Sequence, residues 1–323
     1  MKVLITGATG YIGARLSLFL AEKGFEIIAV CSKKIPSKKE WGAKISQFIV
    51  GDIRNQNTIN EISRVQADVI IHLISLDHHD SEKDPNFVSE VNVQPTWNLL
   101  HQSLSQSSLK KFIYFSTIHV YGKYQGGLVC ENQEKTPFNA YGLTHGLSEE
   151  ICNYYHRKSE IDCINIRLSN SYGEPVFYDA MCWDLIVNDL ARSVFLDKKI
   201  VLKGNGTPIR DFIHYSDICN GVYNLISQNT PMEVNTLHFS SSKSISMLDV
   251  ALEVQTVYKD VYGEKIPIYI NSNEEWLGEK ASSKNENSIS NQLAKKYNLS
   301  FNKELSEGIR ELFSYLEIEL CPR

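Results

Sequence analysis

The first residues that could do chemistry are three glycines near the start. Gly7-Ala8-Thr9-Gly10-Tyr11-Ile12-Gly13 follows the apolar run Val3-Leu4-Ile5 and leads into an amphipathic stretch. Glycines there permit a tight turn. They also let backbone N–H groups approach a pyrophosphate at the positive end of a helix. At a strand–helix junction the pattern points to a bound dinucleotide, with Gly7, Thr9, Gly10, Tyr11, Ile12 and Gly13 as its cradle.

A dinucleotide site of this kind usually has an acid at the end of its second strand, where it holds the adenosine ribose. Here that position reads Cys31-Ser32-Lys33-Lys34, with no acid. A hydroxyl followed by cations suits a ribose 2′-phosphate, and Arg15 in the first helix is placed to help. NADP(H) is therefore favoured, with NAD(H) as the alternative; the plainer reading of the lysines is a solvated face. In Gly51-Asp52-Ile53 the carboxylate is expected near the adenine amine or as a helix cap. His78-His79-Asp80 resembles a metal cluster, but adjacent side chains do not easily aim at one ion, so no metal is expected.

Strands are expected at Val3–Ile5, Glu26–Val30, Phe48–Val50, Val69–Ile74, Lys111–Ser116 and Ile161–Arg167. Helices are expected at Ile12–Lys23, Asn92–Ser103 and Ala140–Lys158. This alternation predicts an α/β fold, a Rossmann-type doubly wound parallel sheet with ligands at the carboxyl ends of its strands. Beyond Asn170 the pattern loosens. Helices at Met181–Phe195, Ser216–Ser227 and Ser246–Tyr262 mix with short strands, and the polar stretch Glu274–Ser290 reads as a surface loop. The expected organisation is a Rossmann domain over 1–170 and a smaller mixed α/β substrate lobe over 171–323, partly interleaved with it.

The 323 residues carry a net charge of -5, with no basic block to grip phosphate backbones, so nucleic acid is not an expected partner. Seven scattered cysteines without a CxxC pair suit a reducing cytosol. No apolar stretch reaches membrane-spanning length, so the expected location is cytoplasmic.

Taken together, GATGYIG, GDIRN, Val69-Ile70-Ile71-His72-Leu73, Val91-Asn92-Val93, Phe115-Ser116-Thr117 with Val120-Tyr121-Gly122, Tyr141 and the Gly204-to-Asp217 stretch resemble an extended short-chain dehydrogenase/reductase. More narrowly, they resemble the nucleotide-sugar epimerase/dehydratase group. The resemblance implies roles. Thr117 would hold the substrate oxygen, with Ser116 beside it, and Tyr141 would move the proton. Leu73 would line the cofactor cleft. Asn170 and Arg210 would contact the diphosphate of a nucleotide sugar, Arg210 through its two-pronged guanidinium. The alternative for Arg210 is an ion pair with Asp211 or Asp217, and Asp217 is expected to cap the helix beginning near Ile218. A homodimer is also implied.

The family's lysine, four residues after the tyrosine, is His145 here. A neutral imidazole would lower the tyrosine pKa far less than an ammonium. His145 substitutes adequately, relays protons itself, or leaves a protein that only binds. His119 is either a substrate-facing acid or base or a packed loop residue. Dehydrating relatives carry an Asp–Glu pair after the threonine, whereas this chain has Ile118-His119, so 4,6-dehydration is disfavoured. The favoured reaction is reduction of a 4-keto sugar nucleotide. A 4-epimerase is the alternative, and a weakened binding protein is the reading of another class.

Overall fold

The computed structural model describes residues 1–32, 38–105, 108–123, 127–228, 232–272, 274–276, 278 and 287–321. The chain opens as β1 (Lys2–Thr6), α1 (Tyr11–Glu22), β2 (Glu26–Cys31), α2 (Lys39–Gly42), β3 (Gln47–Val50), α3 (Gln56–Arg64) and β4 (Val69–His72). It continues through α4 (Pro85–Asn92), α5 (Gln94–Ser103), β5 (Lys111–Thr117), β6 (Gly127–Val129), α6 (Ala140–Lys158), β7 (Asp162–Leu168) and β8 (Asn170–Tyr172). Then follow α7 (Ile186–Asp197), β9 (Ile200–Val201), β10 (Ile209–His214), α8 (Tyr215–Ser227), β11 (Thr236–Phe239), β12 (Ser244–Ser246) and α9 (Met247–Tyr262). Last come β13 (Ile268–Ile270), β14 (Glu274–Glu275), β15 (Asn287–Ile289), α10 (Gln292–Lys296) and α11 (Leu305–Leu320).

Seven strands form one sheet in the order β11-β7-β5-β4-β1-β2-β3, every pair parallel. Parallel strands covered on both faces need apolar residues on both, and Val3, Leu4 and Ile5 are all fully buried. Ile5, Leu16, Leu20, Val222 and Leu225 join α1 and α8 on one face. Leu4, Ile59, Leu99, Phe112, Cys152 and Tyr155 join α3, α5 and α6 on the other. A separate core of Val187, Leu190, Val254, Leu312 and Phe313 packs α7, α9 and α11 together. The edge strand β11 comes from beyond residue 170, so the chain returns to the first sheet after entering the second lobe. No described helix is long and apolar enough to cross a membrane.

Some elements differ from expectation. The helix expected over Asn92–Ser103 is α5, and a further helix, α4, precedes it. The Asp84 carboxylate accepts from the N–H groups of Asn86 and Phe87 to start α4, and Pro95 sits in the first turn of α5. Residues 181–185 are turn rather than helix, fastened where Trp183 Nε1 donates to the Tyr178 carbonyl at 2.7 Å. Within the expected polar loop, β15 pairs with β6 because Ile289 is buried with Ile118, Val120, Tyr121 and Val129. The sequence reading had no place for α11, although Ile309, Leu312, Phe313 and Leu316 form a helical stripe.

Candidate active site

The glycine turn lies at the carboxyl end of β1. Gly7 has φ +70°, and a Cβ on Gly13 would run into the Gly7 carbonyl. Only glycine therefore lets α1 sit this close to the turn. Gly10 caps α1 without a side-chain acceptor, and the first turn carries no acid, so its N–H groups lack a side-chain acceptor. That arrangement fits a dinucleotide diphosphate. Beside it the Thr6 hydroxyl contacts His72 Nδ1 at 2.7 Å and accepts from the Leu73 N–H at 3.3 Å, joining the ends of β1 and β4.

The structure corrects several expectations around this turn. Arg15 does not face a ribose phosphate. Its Nε donates to the Glu174 carbonyl at 2.8 Å, its Nη2 pairs with the Glu174 carboxylate at 3.2 Å, and the guanidinium stacks on Tyr215. It straps α1 to the second lobe. The Tyr11 hydroxyl likewise donates to the Gly173 carbonyl at 2.8 Å, which leaves only its backbone to the cradle. Ser32 is exposed just past β2, and Lys33 lies outside the described residues. Asp52 is neither a helix cap nor free, because Asn55 occupies the N-cap position of α3 and Arg54 holds the Asp52 carboxylate at 2.6 Å. Ile53 is buried beside it. At His78-His79-Asp80, the Asp80 carboxylate pairs with Lys83 at 2.6 Å.

Across the sheet edge, the Asn139 side chain accepts from the Gly142 N–H and starts α6. Tyr141 follows at once, close enough to the Thr117 and Ser75 hydroxyls for both to act on its phenol. The phenol pKa is raised, by burial first, with Thr117 pulling it down, Asp77 pushing it up and Ser75 pulling it down in that order. Its ring is flanked by His119, with centroids 5.7 Å apart, and by His145, at 4.5 Å. The structure therefore brings Thr117, His119, Tyr141 and His145 together.

His145 is almost fully buried, and burial pushes its pKa down to about 4. Near neutral pH it is an uncharged imidazole. The Tyr114 hydroxyl contacts its Nδ1 at 2.8 Å, and its Nε2 has no partner. His119 is also held below its ordinary pKa, by burial first and then by the Arg210 and His78 charges.

Ser116 does not face the site. Its hydroxyl donates to Glu149 at 2.6 Å. Glu149 has no exposed surface. Arg167 grips it through Nε at 2.9 Å and Nη2 at 2.7 Å, and Lys135 lies 3.2 Å away. Burial alone would raise its carboxyl, but Arg167, Ser116 and Lys135 together pull it below the usual range. Arg167 also donates to Tyr121 and to the Glu131 carbonyl. Residue-by-residue reading missed Tyr114, Ser75, Glu149 and Arg167. The available signal was spacing, since Tyr141, His145 and Glu149 repeat every four positions on one helix face.

On the substrate side, Arg210 is exposed and donates to its neighbour's carbonyl at 2.8 Å. The expected alternative partners are engaged elsewhere. Asp211 accepts from Ser241 and Lys243, and Asp217 accepts from the Lys303 N–H at 2.9 Å. Asp217 is therefore not the helix cap; His214 caps α8. Asn170 donates its side-chain amide to the Asp211 carbonyl at 2.8 Å and so clamps β8 to β10.

The geometry has clear relatives. A UDP-glucose 4-epimerase of Oryza sativa subsp. japonica is 27% identical over 296 residues, covering 83% of this chain and 78% of that one. A dTDP-glucose 4,6-dehydratase of Streptomyces antibioticus is 28% identical over 246 residues, covering 72% and 71%. In three dimensions, UDP-glucose 4-epimerase of Thermotoga maritima with UDP-glucose superposes with a TM-score of 0.82 at 18% identity, covering 99% and 100% of the two chains. UDP-glucuronic acid 4-epimerase of Bacillus cereus, in complex with UDP-glucuronic acid and NAD, gives 0.78 at 23% identity, covering 98% and 99%. The family described as NAD dependent epimerase/dehydratase matches residues 3–236, and this chain, an enzyme of the extended short-chain dehydrogenase/reductase type, belongs to it.

Proposed function

We propose that the protein interconverts or reduces a nucleotide-activated hexose at C4, with Tyr141 as the proton-transfer group. The observation that carries this reading is the Tyr141 phenol beside the Thr117 hydroxyl, at the same sheet edge as the Gly7–Gly13 turn. Backbone N–H groups from Gly7 to Gly13, including Thr9 and Ile12, would hold a dinucleotide, with Ile53 and Leu73 lining its cleft. Bound there, the nicotinamide supplies the hydride acceptor and donor. Thr117 orients the reacting oxygen. Tyr141 takes or returns its proton. The His145 ring packs edge-on against the tyrosine with Nε2 unpartnered, and that nitrogen would meet a ribose hydroxyl of the bound cofactor. Exposed Arg210 is free to grip a diphosphate, and its charge already acts on His119.

Epimerisation with a retained cofactor is the reading favoured here. Ile118 transfers no proton, so the elimination chemistry of a 4,6-dehydratase has no acid at that position. With Arg15 turned away, the case for NADP(H) rests on Ser32 and Lys33 alone, and NAD(H) becomes the cofactor to test first. Reduction of a 4-keto sugar nucleotide remains the second reading, favoured by the missing acid after β2. The enzyme would be cytoplasmic. It would pair through α5 and α6, where Trp97, Leu143, Leu147 and Tyr154 are exposed.

The test mixes purified protein with NAD or NADPH and a panel of UDP- and dTDP-hexoses or their 4-keto forms. Sugar interconversion without net cofactor change supports the epimerase. Loss of NADPH with the keto sugar supports the reductase. Binding without turnover at any pH, unrelieved by His145→Lys, would contradict both.

A further inference from the structure

A second cluster lies away from Tyr141, at the seam between α1 and the second lobe. Glu174 follows β8, His214 ends β10, and Glu311 stands on α11. The imidazole is 1% exposed, and its Nε2 has no hydrogen-bond partner; nor does Oε2 of Glu174. Nε2 lies 3.9 Å from Glu174 Oε2 and 3.5 Å from Glu311 Oε2. All three ligand atoms fall within 4.8 Å of one another. Ligands about 2.0–2.2 Å from one tetrahedral ion stand roughly 3.4 Å apart, so the 3.5 Å spacing suits an ion as it stands and the wider ones would close on binding, while both exceed a hydrogen bond.

The surroundings hold these groups in place. A Cβ on Gly173, whose φ is +119°, would stand 2.6 Å from His214 Nε2. One on Gly308 would stand 2.9 Å from its Cδ2. Two glycines thus make room for the ring. Tyr215 and Arg15 hold Oε1 of Glu174, and Lys303 holds Oε1 of Glu311 at 2.6 Å, so each carboxylate is anchored by one oxygen and offers the other. Nδ1 of His214 accepts from the Ser216 N–H at 3.3 Å and lies 2.7 Å from Ser216 Oγ, so a cation at Nε2 would shift the ring proton to Nδ1, where Ser216 Oγ can accept it in place of the cap bond. Charge also fits. Glu174, Glu311, Glu307 and Asp217 face Arg15 and Lys303, an excess of two negative charges.

We propose that Glu174, His214 and Glu311 bind one divalent cation of the zinc class, which clasps α11 and the loop after β8 to the end of β10. Chelator-stripped protein is titrated with Zn²⁺ and, separately, with Co²⁺, following heat release, melting temperature and the visible cobalt spectrum. The expected result is one equivalent bound, a raised melting temperature and no thiolate charge-transfer band. Affinity should fall at least ~10-fold in Glu311→Gln and in Glu174→Gln and stay unchanged in Glu307→Gln. Glu311 is half-exposed and the exchange keeps its shape, so a folded variant is expected. Three results would each overturn the proposal: no stoichiometric binding by the wild type, a thiolate band, or wild-type affinity in both Gln variants. Any of them reduces the cluster to a histidine hydrogen-bonded between two carboxylates or moves the ion elsewhere.

Discussion

One face of α6 carries two buried polar groups, His145 and Glu149, one helical turn apart. They are treated in opposite ways. Glu149 is charged and saturated by Ser116, Arg167 and Lys135. His145 is neutral, has one partner in Tyr114, and leaves Nε2 unmet. The saturated group fixes the helix to β5 and β7. The unsaturated group sits beside Tyr141, where a ligand is to arrive. A buried polar atom without a partner costs free energy, and under the proposed function a ligand hydroxyl would meet it.

The comparison can be broken at its strong end first. Glu149→Gln should leave the Arg167 guanidinium without a compensating charge. A loss of about 3–5 kcal/mol is expected in urea unfolding, the range for removing one partner of a buried pair. A loss under ~1 kcal/mol would mean that the network is not the anchor described here. At the diphosphate end, Arg210→Ala should raise KM for the nucleotide sugar by about 10–100-fold while leaving unfolding unchanged, since Arg210 is exposed and its charged hydrogen bonds to phosphate are worth ~1.5–3 kcal/mol. An unchanged KM would remove it from the substrate site.

The neutral histidine should show itself through pH. A His145→Lys variant places a cation beside Tyr141. It should lower the phenol pKa by about one to three units and move the alkaline-rising limb of the rate profile to lower pH by as much. A limb that stays in place would show that position 145 does not tune the tyrosine. A further effect concerns stability. His72, His145, His214 and His238 are buried, with pKa values held down to about 3 or 4, each chiefly by burial. The unfolded chain then binds more protons than the folded one below about pH 6.5. Their contribution is complete above that pH and is lost as pH falls toward 4, by at most ~1.4 kcal/mol per pH unit for each group. Unfolding at pH 7 and pH 5 checks it, and equal stability at both would contradict the neutral assignment.

Much of the first sheet was legible because its signals are local. The glycine turn, the apolar strand runs and α6 are each written in consecutive residues. What was missed depends on direction or distance. Neighbouring strand residues point to opposite faces, so Ser116 goes with Tyr114 toward α6, where the two meet Glu149 and His145. Adjacency to Thr117 suggested the wrong side. Arg15 lies beside the cradle in sequence, yet its helical direction turns it to Glu174 and Tyr215. The β6–β15 pair and the Glu174–His214–Glu311 cluster join distant segments, which no local pattern reports.

The central claim is that the phenol at position 141 moves the proton while the surrounding frame stays intact. It is tested by comparing Tyr141→Phe with the wild type for dinucleotide binding, nucleotide-sugar binding and single-turnover rate across pH. The account predicts both affinities within about twofold and a rate lower by about 10²–10⁴-fold with no alkaline rise. A phenylalanine variant that turns over at the wild-type rate, with the same pH profile, would contradict it.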